Sequence, residues 1–201
     1  EYITLRADYG LTTPLDVTGW QLVDGGAQRG YRPEVAVLPR AVKLFVVGTK
    51  NQPTMPLVLA PDGEVVVVTG APPASKISFT SFQVNQCMDY LEDVQQENNR
   101  PSFTPSLSAS CTDEPERVVD VYKLDRKCYD FIQGLSACHA PVFEEGRGDD
   151  KEDYVDGQVD DLTRQCRQML QSTFTYNACV ARHATDPEFY LPEWRVLLGR
   201  R

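Results

Sequence analysis

The chain has 201 residues, of which 41% are hydrophobic and 24% are charged, a composition typical of globular proteins and unlike that of disordered chains. Its longest apolar runs are far too short to cross a bilayer, so we expect no membrane span in this sequence and at most a peripheral contact with a membrane. The formal net charge of −9 disfavours nucleic acid as a partner, because binding to phosphates depends on clustered Lys and Arg.

Both the net charge and the cysteines are concentrated in the second part of the chain. Residues 1–82 contain seven basic and seven acidic residues, whereas residues 83–201 contain thirteen basic and twenty-two acidic ones. The six cysteines all lie beyond residue 82: Cys87, Cys111, Cys128, Cys138, Cys166 and Cys179. This change in composition predicts a boundary between two units near residue 82.

The first unit, residues 1–82, has the pattern of a β-rich unit. Valine-rich segments predict short strands within 34–47 and a further strand over 76–80. Pro61-Asp62-Gly63 has the composition of a tight turn and predicts a hairpin over residues 57–69. We expect residues 1–33 to form an extended, irregular N-terminal extension.

The second unit, residues 83–186, has the pattern of a helical unit. Apolar residues three or four positions apart predict a helix from Val84 to Val94, begun by a capping box at Thr80. The same periodicity predicts a second helix over 115–138 and a third from about 156 to 170. The predicted fold class is therefore α+β: a small β-rich unit followed by a disulfide-linked helical unit.

The cysteine count favours three disulfides. Six is an even number, no Cys-x-x-Cys pair occurs, and the two histidines, His139 and His183, do not have zinc-ligand spacing with the cysteines. We therefore expect three disulfides and no metal site. Buried free thiols are the alternative to the disulfides. Disulfides require an oxidising compartment, which is either the secretory or periplasmic route or the mitochondrial intermembrane space. The absence of an Asn-x-Ser/Thr sequon disfavours secretion.

The spacing of four cysteines resembles that of a known family. Cys128 and Cys138 form a Cys-x9-Cys pair, and Cys166 and Cys179 form a Cys-x12-Cys pair. Over residues 118–183 this resembles the twin Cys-x9-Cys (coiled-coil-helix-coiled-coil-helix) proteins of the mitochondrial intermembrane space, many of which are accessory subunits of respiratory complexes or assembly factors.

The resemblance implies two antiparallel helices joined by Cys128–Cys179 and Cys138–Cys166, which would leave Cys87 to pair with Cys111. The second pair departs from the family spacing. Cys166 and Cys179 are thirteen positions apart, a spacing that would place them on different faces of one straight helix. We therefore expect a helix break within 172–175.

Recognisable catalytic motifs are missing from the sequence. It contains no glycine-rich phosphate loop, no nucleophile elbow and no metalloprotease motif, so we expect neither an enzyme nor a cofactor. The acidic stretch 144–161 does not place Gly157 and its neighbours as a calcium-binding loop requires, and we interpret it as a solvated loop.

The C-terminal segment, residues 187–201, is rich in large apolar side chains. Such a segment either returns to the core or docks on a partner, and we predict a docking tail because exposed apolar patches and Trp or Arg side chains mark interfaces. The predicted partner-binding residues are Phe189, Tyr190, Leu191, Trp194, Arg195 and Leu197.

Together these features predict a non-catalytic structural accessory subunit whose partners are other protein subunits of a large assembly. A mitochondrial respiratory-chain or ATP synthase complex facing the intermembrane space fits best. The alternative is a secreted or periplasmic cysteine-rich binding module.

Overall fold

The computed structural model describes residues 2–23, 35–44, 51–69, 81–91, 103, 105–107, 113–141 and 162–198. The strands are β1 (Tyr2–Arg6), β2 (Leu15–Asp16), β3 (Gln21–Val23), β4 (Val35–Val37), β5 (Ala41–Val42), β6 (Thr54–Met55), β7 (Val58–Leu59), β8 (Glu64–Thr69), β9 (Phe82–Asn85) and β10 (Tyr190–Leu198). The helices are α1 (Pro115–Val118), α2 (Arg126–Gln133), α3 (Arg164–Thr173) and α4 (Tyr176–His183), with a 3₁₀ turn over Val121–Lys123. This mixture confirms the predicted α+β class.

Six of the strands form one mixed sheet in the order β1-β8-β10-β9-β5-β6. β10 lies in its middle, parallel to β8 and antiparallel to β9. β8 also pairs with β1, an antiparallel neighbour that begins at Tyr2. The expectation of an irregular N-terminal extension is therefore wrong for residues 2–6, because the alternating segment Tyr2–Arg6 completes the edge of the sheet.

The middle strands are buried on both faces. Val65, Val66 and Val67 of β8 are all buried, which is typical of a strand that is covered on both sides. Neighbouring residues of β10 enter different hydrophobic clusters: Val196 packs with Val65 and Val67, whereas Leu197 packs against the cluster that includes the helices. Successive strand side chains point to opposite faces, so the sheet separates two cores.

The predicted turn at Pro61-Asp62-Gly63 is present, but the predicted hairpin is not. The Gly63 amide donates to the Ala60 carbonyl at 2.9 Å, and Asp62 adopts a positive φ of 59°. A Cβ at Gly63 would lie 2.8 Å from the Pro192 carbonyl oxygen, so β10 passes too closely for a side chain here. β7 pairs with β2 instead of β8, because both edges of β8 are occupied by β1 and β10.

Two of the predicted helices differ from the structure. Phe82–Asn85 forms strand β9, and a helical turn begins only at Asp89, so the helix predicted to begin at Val84 is wrong there. Pairing with β10 on one side and β5 on the other outweighs the local helical pattern. The helix predicted over 115–138 is divided into α1, the 3₁₀ turn and α2, because Asp125 caps a new helix.

The C-terminal segment belongs to the core. Phe189 and Trp194 are buried within the chain, Arg195 is only 1% exposed, and Tyr190, Leu191 and Leu197 are half-buried. The prediction of a docking tail is therefore wrong for these residues, because the backbone of β10 pairs with β8 and β9 and its side chains pack in the two cores.

The sheet combines strands from both sides of residue 82. No helix in the described ranges is long and apolar enough to span a membrane.

Candidate functional site

Two disulfides hold the helices to the rest of the fold. Cys87, in the turn after β9, is bonded to Cys179 of α4, and Cys128 of α2 is bonded to Cys166 of α3. Cys138 is also disulfide-bonded, and Cys111 lies outside the described residues. None of the described cysteines is free, so the prediction of disulfide bonding is confirmed for them.

The pairing that the family resemblance implied is wrong. Cys128 is bonded to Cys166 and not to Cys179, and Cys179 is bonded to Cys87. The predicted helix break explains the difference, because α3 ends at Thr173 and α4 begins at Tyr176. Cys166 and Cys179 therefore lie on separate helices and reach different neighbours. The implied helical hairpin is only partly visible among the described residues.

Helix caps position the Cys128–Cys166 bond. The Asp125 carboxylate accepts from the Cys128 amide at 2.9 Å, and the Thr163 hydroxyl accepts from the Cys166 amide at 3.2 Å. Each cysteine thus occupies the same position in the first turn of its helix, three residues after the cap. The Thr163 hydroxyl also lies 3.4 Å from Asp125, so the two caps meet beside the disulfide.

A buried aspartate organises a polar cluster at the end of α4, which we call the Asp113 cluster. Its members are Tyr90, Asp113, Arg182, His183 and Asp186. Asp113 Oδ2 accepts hydrogen bonds from Arg182 Nη2 and, at 3.2 Å, from the Tyr90 hydroxyl. Asp113 Oδ1 lies 2.7 Å from His183 Nε2. A buried carboxylate needs such partners, and here they attach residue 113 firmly to α4.

His183 lies between two carboxylates. Its Nε2 faces Asp113, and its Nδ1 lies 2.8 Å from Asp186 Oδ2. Carboxylates only accept hydrogen bonds, so a proton on each ring nitrogen satisfies both contacts. The hydrogen bond with Asp186, followed by that with Asp113, raises the pKa of His183 above its usual 6.5. Burial and the nearby Asp113 charge raise the pKa of Tyr90, which therefore remains a neutral donor.

The cluster lies beside the Cys87–Cys179 bond. Cys179 and His183 are one helical turn apart on α4. The sulfur of Cys179 lies within 4.8 Å of a carboxylate oxygen of Asp113 and of a ring nitrogen of His183. Two residues before Cys87, Asn85 Nδ2 donates to the hydroxyl of Tyr176, the first residue of α4, at 3.0 Å. The end of β9, residue 113 and α4 are thus fixed to one another.

Sequence reasoning did not identify this cluster. The sequence predicts His183 to be a surface residue near a helix end, without zinc-ligand spacing. The partners that give it a role lie far away in sequence, at Asp113 and Tyr90. One part of the cluster does have a local sequence signal. His183 is followed three residues later by Asp186, at the end of a helix.

We expect the protein to lose stability as the pH rises above about 6.5, because of His183. A raised folded-state pKa means that the folded protein binds the proton more tightly. The stabilisation is therefore complete below the ordinary pKa of histidine and is lost as the pH rises through the folded-state pKa. Urea unfolding at a series of pH values measures this dependence.

The controls for the pH dependence are two single variants. His183→Gln should flatten the decline in the free energy of unfolding, whereas His139→Gln should keep it. Identical pH profiles for the wild type and His183→Gln would contradict the role of His183.

A second buried ion pair involves Arg195, one of the predicted partner-binding residues. Arg195 Nε donates to Glu193 Oε1 at 2.5 Å, on the same face of β10. Its two other nitrogens donate to the carbonyls of Pro105 and Ser106, each at 2.7 Å. Arg195 therefore holds the 105–106 segment against the sheet, and it is not available to a partner.

Three of the exposed apolar side chains lie on the ribbon formed by β3 and β4. Val23 is 56% exposed, and Val35 and Val37 are each 43% exposed. Val23 lies directly opposite Val35, and Val37 lies opposite Gln21, so all four side chains share one face of the ribbon. Leu22, on the other face, packs against the core. We call the exposed face, formed by Gln21, Val23, Val35 and Val37, the ribbon face.

The chain matches no protein-family model, and it is similar to no curated protein and to no solved structure with which it was compared.

Proposed function

We propose that the protein is a non-catalytic, disulfide-stabilised module that binds another protein through the ribbon face. The observation that carries this proposal is the uncharged character of that face. Three valines and one glutamine form it, although a quarter of the chain is charged. Exposed apolar patches on a folded protein are typical of interaction surfaces.

The structure of the ribbon suits such a role. Its inner face is anchored to the core by Leu22, and the Leu38 amide, one residue after β4, donates to the Trp20 carbonyl at 2.9 Å. The exposed valines are therefore presented on an ordered backbone. β-branched side chains on a strand also lose little conformational freedom on binding, which reduces the entropic cost of an interface.

The disulfides support an oxidising compartment. Two bonds within the described residues link elements that are far apart in sequence, and such bonds persist outside the reducing cytosol. The intermembrane space is also oxidising, but the disulfide pairing implied by the resemblance to its proteins is not the one in the structure. We therefore propose a periplasmic or secreted location, in agreement with the binding-module alternative.

The accessory subunit of an intermembrane-space complex is a second candidate function. The ribbon face also supports it, because interfaces of permanent assemblies are more apolar than those of transient ones. Its other supports were the implied disulfide pairing and the C-terminal docking tail, and the structure has neither.

A photo-crosslinker tests the proposed surface. We expect a photoreactive residue in place of Val35 to form one dominant adduct with a partner protein in an extract of the producing cells. The double variant Val23→Lys/Val37→Lys should weaken this adduct at least about tenfold, because each lysine removes apolar contact and places a charge in the interface. Its free energy of unfolding should change by less than about 1 kcal/mol, since the replaced side chains are exposed.

Tyr122, which is 97% exposed, is the matched control position. A crosslinker there should not form the same adduct. The proposal fails if position 35 forms no specific adduct, or if positions 35 and 122 capture the same proteins equally. A partner that remains bound through purification as a stoichiometric complex would favour the accessory subunit, whereas a partner that exchanges readily would favour the binding module.

A further inference from the structure

We propose that reducing the Cys87–Cys179 disulfide converts the Asp113 cluster into a zinc site. The ligands would be Cys179, His183 and Asp113, with Cys87 as the fourth. This inference goes beyond the proposed binding function and does not depend on it, because the ribbon face contains none of these residues.

Three of the four ligand atoms already lie close together. The sulfur of Cys179, a ring nitrogen of His183 and a carboxylate oxygen of Asp113 all lie within 4.8 Å of one another, and Cys179 and Asp113 are buried. The sulfur of Cys87 does not belong to that set in the disulfide form, and reduction of its bond to Cys179 frees it to move in as the fourth ligand. Zinc prefers four ligands of these types in a tetrahedral arrangement, with thiolate, imidazole and carboxylate all common.

The surrounding contacts orient these ligands as metal sites require. Asp186 accepts at His183 Nδ1, which leaves Nε2 as the metal-binding nitrogen. Arg182 and Tyr90 both occupy Asp113 Oδ2, which leaves Oδ1 for the metal. Oδ1 and Nε2 lie 2.7 Å apart, and two lone pairs at that separation require a positive charge between them. In the disulfide form a proton fills that position. A zinc ion in the reduced form would need the two atoms to move apart to about 3.3 Å, the separation set by tetrahedral geometry and bonds of about 2.0–2.1 Å.

The charges also balance. Two thiolates and one carboxylate around a divalent cation carry one net negative charge, and the Arg182 guanidinium on Asp113 offsets it. The further negative charge of Asp186, beside His183, lies on a half-exposed carboxylate that water screens. A buried site of this kind is therefore close to neutral, which limits the cost of removing the ion from water.

The chemistry needs a dithiol reductant. The dithiol gives two electrons and two protons to the Cys87–Cys179 bond, which becomes two thiols while the reductant becomes a disulfide. Zinc then displaces the proton from each thiol that it binds, and the Nε2 proton from His183 if the imidazole is protonated. Metal affinity should therefore increase with pH.

The Cys87→Ser variant tests the site without reducing the other disulfides, because it leaves Cys179 as a thiol beside His183 and Asp113. We expect it to bind one Co²⁺ with a thiolate-to-cobalt charge-transfer band and the visible absorption of tetrahedral cobalt, and Zn²⁺ should displace the cobalt. Zn²⁺ should also raise the unfolding temperature of this variant. Adding Asp186→Asn should weaken the metal affinity about tenfold or more, and adding His183→Gln should abolish the charge-transfer band.

The matched control is Cys166→Ser, which frees Cys128 away from the cluster and should give no such band. Absence of both the band and the Zn²⁺-dependent rise in unfolding temperature in folded Cys87→Ser would overturn the proposal. If that variant does not fold, the wild type treated with a dithiol decides the question. Zn²⁺ should slow alkylation of Cys179 at least about tenfold, and equal alkylation rates with and without Zn²⁺ would overturn the proposal.

Discussion

Deleting residues 187–201 should abolish the cooperative thermal unfolding transition. The deletion removes β10, which pairs with both β8 and β9 in the middle of the sheet. It also removes Phe189, Trp194 and Val196 from the two cores. Burial of each such side chain stabilises a protein by about 1.5–3 kcal/mol, and the total approaches the whole stability of an ordinary domain.

Single substitutions in the same segment should cause smaller losses of stability, in proportion to the burial of the replaced side chain. Trp194→Ala should reduce the free energy of unfolding by about 3–5 kcal/mol, because it leaves a cavity in the core that covers one face of the sheet. Glu188→Ala, at an exposed position of the same segment, should change it by less than about 0.5 kcal/mol. Calorimetry and circular dichroism measure both. A truncated chain that still unfolds cooperatively, with unchanged secondary structure, would show that the segment is not part of the core.

Replacing Cys87 and Cys179 together by alanine should reduce the free energy of unfolding by about 4 kcal/mol. The bond closes a sequence separation of 92 residues, and the loss of that constraint increases the entropy of the unfolded chain. Urea unfolding under non-reducing conditions measures this loss, and we expect the midpoint of unfolding to occur at a lower urea concentration than in the wild type.

The Cys128→Ala/Cys166→Ala variant is the matched comparison. Its bond closes a separation of 38 residues, and because the loop entropy depends only weakly on length, we expect a loss of similar size. A loss below about 1 kcal/mol for the Cys87/Cys179 variant would contradict the role of this bond as the main connection between β9 and α4.

Local chemistry predicted several parts of the fold correctly. The valine-rich segments predicted the short strands β4 and β5, and Pro61-Asp62-Gly63 predicted its turn. Helical geometry alone required a break between Cys166 and Cys179, and the structure has it after Thr173. These features depend on neighbouring residues, which is why the sequence reveals them.

The features that depend on distant residues could not be predicted in the same way. β10 pairs with β8 across more than 120 positions, and its apolar side chains are equally compatible with a docking segment until that partner is known. Asp113 meets His183 across 70 positions, and neither residue type identifies the other. Asp125 and Thr163 each precede a cysteine by three residues and cap its helix, which is a local signal for the two helix starts. The bond between Cys128 and Cys166 spans 38 positions and has no such signal.

Disulfide mapping of the unreduced protein tests most directly the claim that Cys87–Cys179 joins the end of β9 to α4. Digestion with trypsin and chymotrypsin separates the cysteines from one another, and mass spectrometry identifies the linked peptides. The structure predicts one peptide pair containing Cys87 and Cys179 and another containing Cys128 and Cys166. Linked peptides containing Cys128 with Cys179 and Cys138 with Cys166 would contradict it and would restore the helical hairpin of the twin Cys-x9-Cys proteins.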